Sequence, residues 1–94
     1  MVEDIVGCKW SLGVIQMVKE GINRPGAMTR HLEGLTTKVL NQRLNKLVKY
    51  QLIRKNIFPE IPPRVEYQFT EKGLIFLEVL DAIDRVQDAF DASN

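Results

Sequence analysis

Two short runs of β-forming residues, separated by prolines, most restrict the folds open to this chain. Residues 52–58 are rich in β-formers, and residues 65–69 alternate Val, Tyr and Phe with Glu and Gln. Pro59, Pro62 and Pro63 lie between the runs, and proline cannot donate a hydrogen bond within a sheet. The pattern therefore predicts a two-stranded hairpin whose tip is the proline-rich segment.

Helical patterns precede the hairpin. Apolar residues at helical spacing predict a first helix over residues 9–20, ended by Gly21. Pro25 is suited to the first position of a second, short helix that runs to about Leu32. Gly34 closes this second helix, which leaves only a short turn before the next helical pattern.

Two longer helices complete the predicted order. Thr36 is placed to cap a third helix that runs to about Tyr50, and Thr70 to cap a final helix over residues 71–90. Three helices, a β-hairpin and a last helix form the layout of a winged helix-turn-helix. We therefore predict a mainly helical α+β fold with three helices, a two-stranded wing and a C-terminal helix.

The length of 94 residues predicts a single domain over residues 1–94. No apolar run approaches the roughly 20 residues of a membrane span. The first four residues include Glu3 and Asp4 and no basic residue, so no secretory signal is expected. Cys8 is the only cysteine and cannot form a disulfide within the chain. These features predict a cytoplasmic protein without membrane contact.

Charge is distributed unevenly along the chain. The net charge is +1 overall, zero over residues 1–33, +6 over residues 34–59 and −5 over residues 60–94. The middle segment contains no acidic residue. A basic middle and an acidic end predict two faces with different partners, although such runs are often no more than solvated surface.

The chain resembles the HxlR-type regulators of bacteria and archaea over nearly its whole length. The matching segments are Lys9-Trp10, Arg24-Pro25-Gly26, residues 34–40 (GLTTKVL), Arg43-Leu44, residues 62–67 (PPRVEY), Thr70 and Gly73. The resemblance implies a homodimeric transcriptional regulator that binds double-stranded DNA, with the third helix as recognition helix and the hairpin as wing. It implies no enzymatic activity.

The polar face of the third helix carries the predicted base-reading residues. It lacks carboxylates, whereas a surface helix usually mixes both signs. Arg or Lys suits guanine and Asn or Gln suits adenine in the major groove. The predicted set is Lys38, Asn41, Gln42, Arg43 and Asn45. A solvated basic face is the alternative interpretation of the pattern taken without the resemblance.

Phosphate contacts are predicted around this helix. Thr36 and Thr37 stand at its N-terminus, where free amides favour anions, although Thr36 also has a capping role. The cations predicted to hold phosphates, or to reach the minor groove through the wing, are Lys46, Lys49, Arg54, Lys55 and Arg64.

The final helix carries an apolar stripe too long and wide for the rest of so small a domain to cover. We predict that it forms the dimer interface through Phe76, Val79, Leu80, Ile83, Val86 and Phe90. A dimer would present two recognition helices to a palindromic operator.

Few residues suggest other chemistry. His31 is the only histidine, so no metal site is expected, and no catalytic constellation or cofactor motif is present in the sequence. Glu66 is interpreted as a structural or ion-pairing residue. Cys8 is either a redox-active thiol activated by Lys9 and a helix start, or an inert thiol; we favour the latter. In many members of the family the sensor cysteine stands well before the Lys-Trp pair, so the resemblance does not assign that role to Cys8.

The remaining alternative is a winged-helix module that binds protein instead of DNA. A lysine-rich face without acids argues against it, because protein interfaces are depleted in lysine. The sequence indicates neither the operator nor an effector.

Overall fold

The computed structural model of the protein describes residues 1–93. Its helices and strands are α1 (Val2–Val6), α2 (Lys9–Lys19), α3 (Pro25–His31), α4 (Thr37–Lys49), β1 (Ile53–Phe58), β2 (Arg64–Phe69) and α5 (Glu71–Ala92). This order confirms the predicted mainly helical winged helix-turn-helix. Helix α1 is an addition: its five residues are too few to produce a helical periodicity in the sequence.

The predicted capping and turn residues act as expected. The hydroxyl oxygens of Thr36 and Thr70 each accept a hydrogen bond from the backbone N–H three residues later. Pro25 is the first residue of α3. Gly21 and Gly34 have φ angles of 89° and 85°, a region that favours glycine. These local signals explain why α2 to α5 begin and end within a few residues of their predicted bounds.

Strands β1 and β2 pair antiparallel, from Ile53 opposite Phe69 to Phe58 opposite Arg64. Residues directly opposite share a face of the sheet. Ile53 and Tyr67 are buried on the face that meets the helices. The other edge of β2 is joined to the loop before α3, because the Tyr67 N–H donates to the Asn23 carbonyl at 2.9 Å.

One hydrophobic core joins the helices to the base of the wing. Helices α2 and α4 supply its centre, and α3, β1 and α5 close it. Its side chains with almost no exposure include Val14, Met17, Met28, Leu40, Leu44, Leu47 and Ile53. The polar face of α4 is therefore held outward by a rigid apolar face on the opposite side.

Helix α5 begins inside this core and then leaves it. Phe76 is buried, and Leu77 and Leu80 pack partly against the core. From Ile83 onward the described residues of α5 are exposed. Twenty-two residues of helix span about 33 Å, and the molecule measures 53 × 29 × 21 Å, so much of α5 projects from the body.

Candidate nucleic-acid interface

Most of the predicted DNA contacts lie on open surface. On α4, the exposed polar side chains are Thr37, Lys38, Asn41, Gln42, Asn45 and Lys49. Lys38, Gln42, Asn45 and Lys49 follow one another at spacings of three or four residues, so they share one side of the helix. Together these residues make a continuous face of donors and acceptors free of carboxylates, which we call the α4 polar face.

Three of the predicted cations are only partly exposed. They are Arg43, Lys46 and Arg64. The sequence places no acid between residues 34 and 59, yet the fold brings Asp4 from α1 to Lys46 in that segment.

Lys46 is bound by Asp4 of α1. The Lys46 Nζ lies 3.5 Å from Asp4 Oδ2, and the Tyr50 hydroxyl donates a 2.5 Å hydrogen bond to the same oxygen. The hydrogen bond from Tyr50, followed by the charge of Lys46, lowers the pKa of Asp4. The pKa of Tyr50 is raised for the same reason, because its proton is shared with a carboxylate. Asp4 thus links α1 to the C-terminal end of α4 through an ion pair and a hydrogen bond.

Arg43 is half-buried on α4, and its charge acts on Cys8. Its Nε is buried without a hydrogen-bond partner among the described residues. Cys8 is half-buried at the N-cap of α2. Hydrogen bonding by Ser11 lowers the pKa of the Cys8 thiol, and the positive charge of Arg43 adds to that effect. The thiol therefore has an electropositive neighbour on α4 as well as a helix start.

Arg64 sits at the wing among three partners. Its guanidinium lies 4.1 Å from the centroid of the Phe58 ring. Its terminal nitrogens approach Glu60 at 3.2 Å and Glu66 at 3.3 Å. The predicted ion-pairing role of Glu66 matches this contact. The side chain is only partly exposed, and its buried Nε has no hydrogen-bond partner among the described residues.

The other predicted phosphate contacts remain accessible. Arg54 and Lys55 on β1 are exposed, and Arg54 donates a long hydrogen bond of 3.4 Å to Gln68 across the hairpin. Thr36 is exposed while its hydroxyl oxygen serves as the cap of α4. Thr36 directly precedes α4, whereas Arg54 and Lys55 lie on the wing.

The residues predicted for a dimer interface fall into two groups. Phe76 and Leu80 face the protein's own core, and Phe76 is only 6% exposed. Val79, Ile83, Val86 and Phe90 are exposed. A shallow apolar surface formed by Val79, Ala82, Ile83 and Val86 continues to a second one formed by Val2, Ile75 and Val79. We call this continuous surface the α5 apolar face; α1 contributes to it, which the sequence did not predict.

Within residues 1–93, no group of three or more histidine, cysteine, aspartate or glutamate side chains lies close enough to hold a metal ion. No helix in that range is long and apolar enough to cross a membrane.

Comparisons with known proteins agree with this architecture. The family model described as HxlR-like helix-turn-helix matches residues 5–93. A candidate regulatory protein, MalR of Fusobacterium mortiferum, is 41% identical over 81% of this chain and 67% of its own length. The HTH-type transcriptional regulator sll1512 of Synechocystis is 38% identical over 90% of this chain and 63% of its own length. This chain thus spans two thirds or less of these curated relatives.

A solved structure extends the comparison to three dimensions. A candidate transcriptional regulator of the MarR family from Enterococcus faecalis superposes with a TM-score of 0.89 at 31% identity. The match covers 97% of this chain and 83% of that one. The helices, wing and final helix thus have counterparts in that regulator.

Proposed function

The chain belongs to the HxlR-like helix-turn-helix family, and from this premise we propose that it regulates transcription as a homodimer that binds double-stranded DNA sequence-specifically. Its relatives are named as transcriptional regulators, not enzymes. The observation that carries the proposal is the α4 polar face, which presents lysine and amide groups without a carboxylate on a rigidly packed helix.

In the proposed complex, α4 lies in the major groove. Lys38 would pair with the acceptors of guanine, and amides such as Gln42 and Asn45 with adenine. Asn41 and the half-buried Arg43 complete the base-reading set. Thr36, Thr37, Lys46 and Lys49 would contact phosphates around the helix, which fixes position rather than sequence.

The wing would add contacts beside the groove. Arg54 and Lys55 are exposed on β1, and Arg64 is partly exposed at the start of β2, where it pairs with Glu60 and Glu66. These three cations would reach phosphates or the minor groove next to the α4 site.

Homodimerisation would cover the α5 apolar face. Val79, Ile83 and Val86 are 44%, 42% and 70% exposed, and a contiguous apolar surface of this kind marks an interaction site. Twofold pairing would bring two copies of α4 to the same side, about 34 Å apart or a multiple of that, which corresponds to a palindromic operator. A chromosomal operator implies action in the cytoplasm.

The test is binding to duplexes selected from a random pool, followed by titration at several salt concentrations. Changing Lys49 to Ala should weaken binding to matched and mismatched duplexes alike and lower the salt slope by about one unit. Changing Gln42 or Asn45 to Ala should instead reduce discrimination at particular base pairs by about 1–3 kcal/mol.

Arg85→Ala is the control, because Arg85 is an exposed cation on α5 away from the α4 polar face. It should leave both affinity and discrimination unchanged. If the wild-type protein shows no preference for any selected duplex, a protein-binding module becomes the better account of the fold.

A further inference from the structure

The wing is joined to the start of α3 by one carboxylate oxygen. Glu66 Oε2 lies 3.2 Å from Arg24 Nη2 and 3.3 Å from Arg64 Nη1. Arg24 is the residue immediately before α3, and Glu66 is the third residue of β2. The ion pairs therefore connect two segments that lie 42 residues apart in the chain.

Glu66 differs from the other wing carboxylate. Its side chain is 16% exposed, whereas that of Glu60 is 54% exposed and pairs with Arg64. An ion pair with a largely buried carboxylate is screened less by salt than one on open surface. The Glu66 ion pairs are thus better suited than the Glu60 pair to fix the position of the wing relative to α3.

A backbone hydrogen bond lies beside these ion pairs. The Tyr67 N–H donates to the Asn23 carbonyl at 2.9 Å. This bond and the Arg24–Glu66 pair join the same two segments through adjacent residues on each side. Exchange of the Tyr67 amide proton therefore reports directly on whether the junction is closed.

We propose that Glu66 is a positioning residue, which holds the wing against the start of α3 and orients Arg64 for contact with DNA. This inference rests on the proposed function, in which the wing adds to DNA binding. Glu66 itself carries the wrong charge to bind a phosphate. Its contribution would come only through the geometry that it imposes on Arg64 and on the wing.

The direction in which a charge-neutralising substitution of Glu66 changes DNA affinity separates a positioning role from simple electrostatics. Removing a negative charge near DNA should strengthen binding if charge alone matters. If Glu66 positions the wing, Glu66→Gln should weaken binding by about three- to tenfold, as expected for loss of a well-ordered charge pair. Glu60→Gln is the matched control and should leave binding unchanged or strengthen it.

Arg24→Gln breaks the same junction from an exposed loop, where folding is not at risk. Alone it should weaken binding no more than Glu66→Gln, which also removes the pair with Arg64, and the double variant should be no weaker than Glu66→Gln, because the Arg24–Glu66 contact is then already lost. Tighter or unchanged binding by Glu66→Gln would overturn the proposal. A fully additive double variant would overturn it as well.

Hydrogen exchange in the free protein tests the junction without DNA. The Tyr67 amide should exchange about fivefold faster in Glu66→Gln and Arg24→Gln than in the wild type, with the α4 amides and the Glu60→Gln control unaffected. Unchanged Tyr67 exchange would reject the positioning role. Failure of the wild type to bind any duplex would instead reject the proposed function, while this measurement would still decide the role of Glu66.

Discussion

At Lys46, the cation that the sequence predicts to hold a phosphate already has a partner within the chain. Asp4 accepts from Tyr50 and pairs with Lys46, so the C-terminal end of α4 is tied to α1. A phosphate would have to compete with this carboxylate for the Lys46 ammonium. Lys49, one turn of helix further on, is exposed and is the better reporter of a simple phosphate contact.

The pKa of Asp4 should respond to its partners. It is lowered chiefly by the Tyr50 hydroxyl and then by Lys46. Tyr50→Phe should therefore raise the Asp4 pKa toward its ordinary value, and Lys46→Gln should raise it less. Both shifts can be measured by NMR titration of the Asp4 carboxyl carbon. A titration curve that is the same in Tyr50→Phe and wild type would contradict the observed network.

The stability consequence has a definite direction in pH. Because the folded-state pKa of Asp4 lies below its unfolded value, the contribution of ionised Asp4 is fully present above the unfolded pKa, near 3.9. It is lost as pH falls through the folded-state value. Asp4→Asn should thus be less stable than wild type near neutral pH, and the difference should disappear in strong acid.

Sequence reasoning succeeded at residues whose environment is set by their own helix. The exposure of Lys38, Gln42 and Asn45 follows from helical periodicity alone. The Asp4–Lys46 and Arg24–Glu66 pairs could not be predicted that way, because each joins positions 42 residues apart with no local signal.

At the scale of elements, Gly73 in the first turn of α5 has the closest neighbour of any glycine in the chain. A Cβ built at Gly73 would lie 1.9 Å from the Leu52 carbonyl oxygen and 3.2 Å from the Phe69 ring. The φ angle of Gly73 is not in the left-handed region, so the constraint is space rather than backbone conformation. Glycine here allows α5 to pack directly on the start of the wing.

Gly73→Ala should therefore destabilise the protein by about 2–3 kcal/mol, since the clash is with backbone that cannot move aside without shifting a whole element. Chemical denaturation measures this directly. Gly26→Ala is the control, because its Cβ would meet only the flexible end of Arg30 at 3.4 Å. It should change stability by less than about 0.5 kcal/mol. Equal effects of the two substitutions would show that the packing of α5 on Leu52 is looser than described.

Elements with strong local signals were predicted well, and those defined by their neighbours were not. Caps, prolines and periodicity located α2, α3, α4 and the hairpin. The apolar stripe of α5 was visible in the sequence, but the sequence did not show which of its residues meet the core and which are exposed. Phe76 and Leu80 meet the core while Val79 and Ile83 do not, because that depends on which elements lie beside the helix.

At the scale of the whole molecule, the two surfaces proposed to bind DNA and a second copy lie on different elements. The α4 polar face is uncompensated by acids of its own helix, while α5 carries aspartates beside its apolar face. Aspartates disfavour contact of α5 with DNA phosphates. The unequal charge of the middle and final segments of the sequence is thus consistent with the proposal that one face binds DNA and the other a second copy.

The dimer itself is the last prediction, and it depends on the α5 apolar face. Val86 is 70% exposed and contributes little to the fold of one chain, so Val86→Asp should leave the monomer folded. In a dimer the same change would bury a charge in an apolar interface, at a cost of several kcal/mol. Sedimentation should show a wild-type dimer at micromolar concentration and a monomer for Val86→Asp, with Ile83→Asp behaving alike.

Leu74→Asp is the matched control, because Leu74 is 54% exposed on another side of the same helix, and it should remain dimeric. A monomeric wild type that binds a single half-site as tightly as a palindrome would contradict the dimer, since two linked recognition helices gain affinity from binding both half-sites at once.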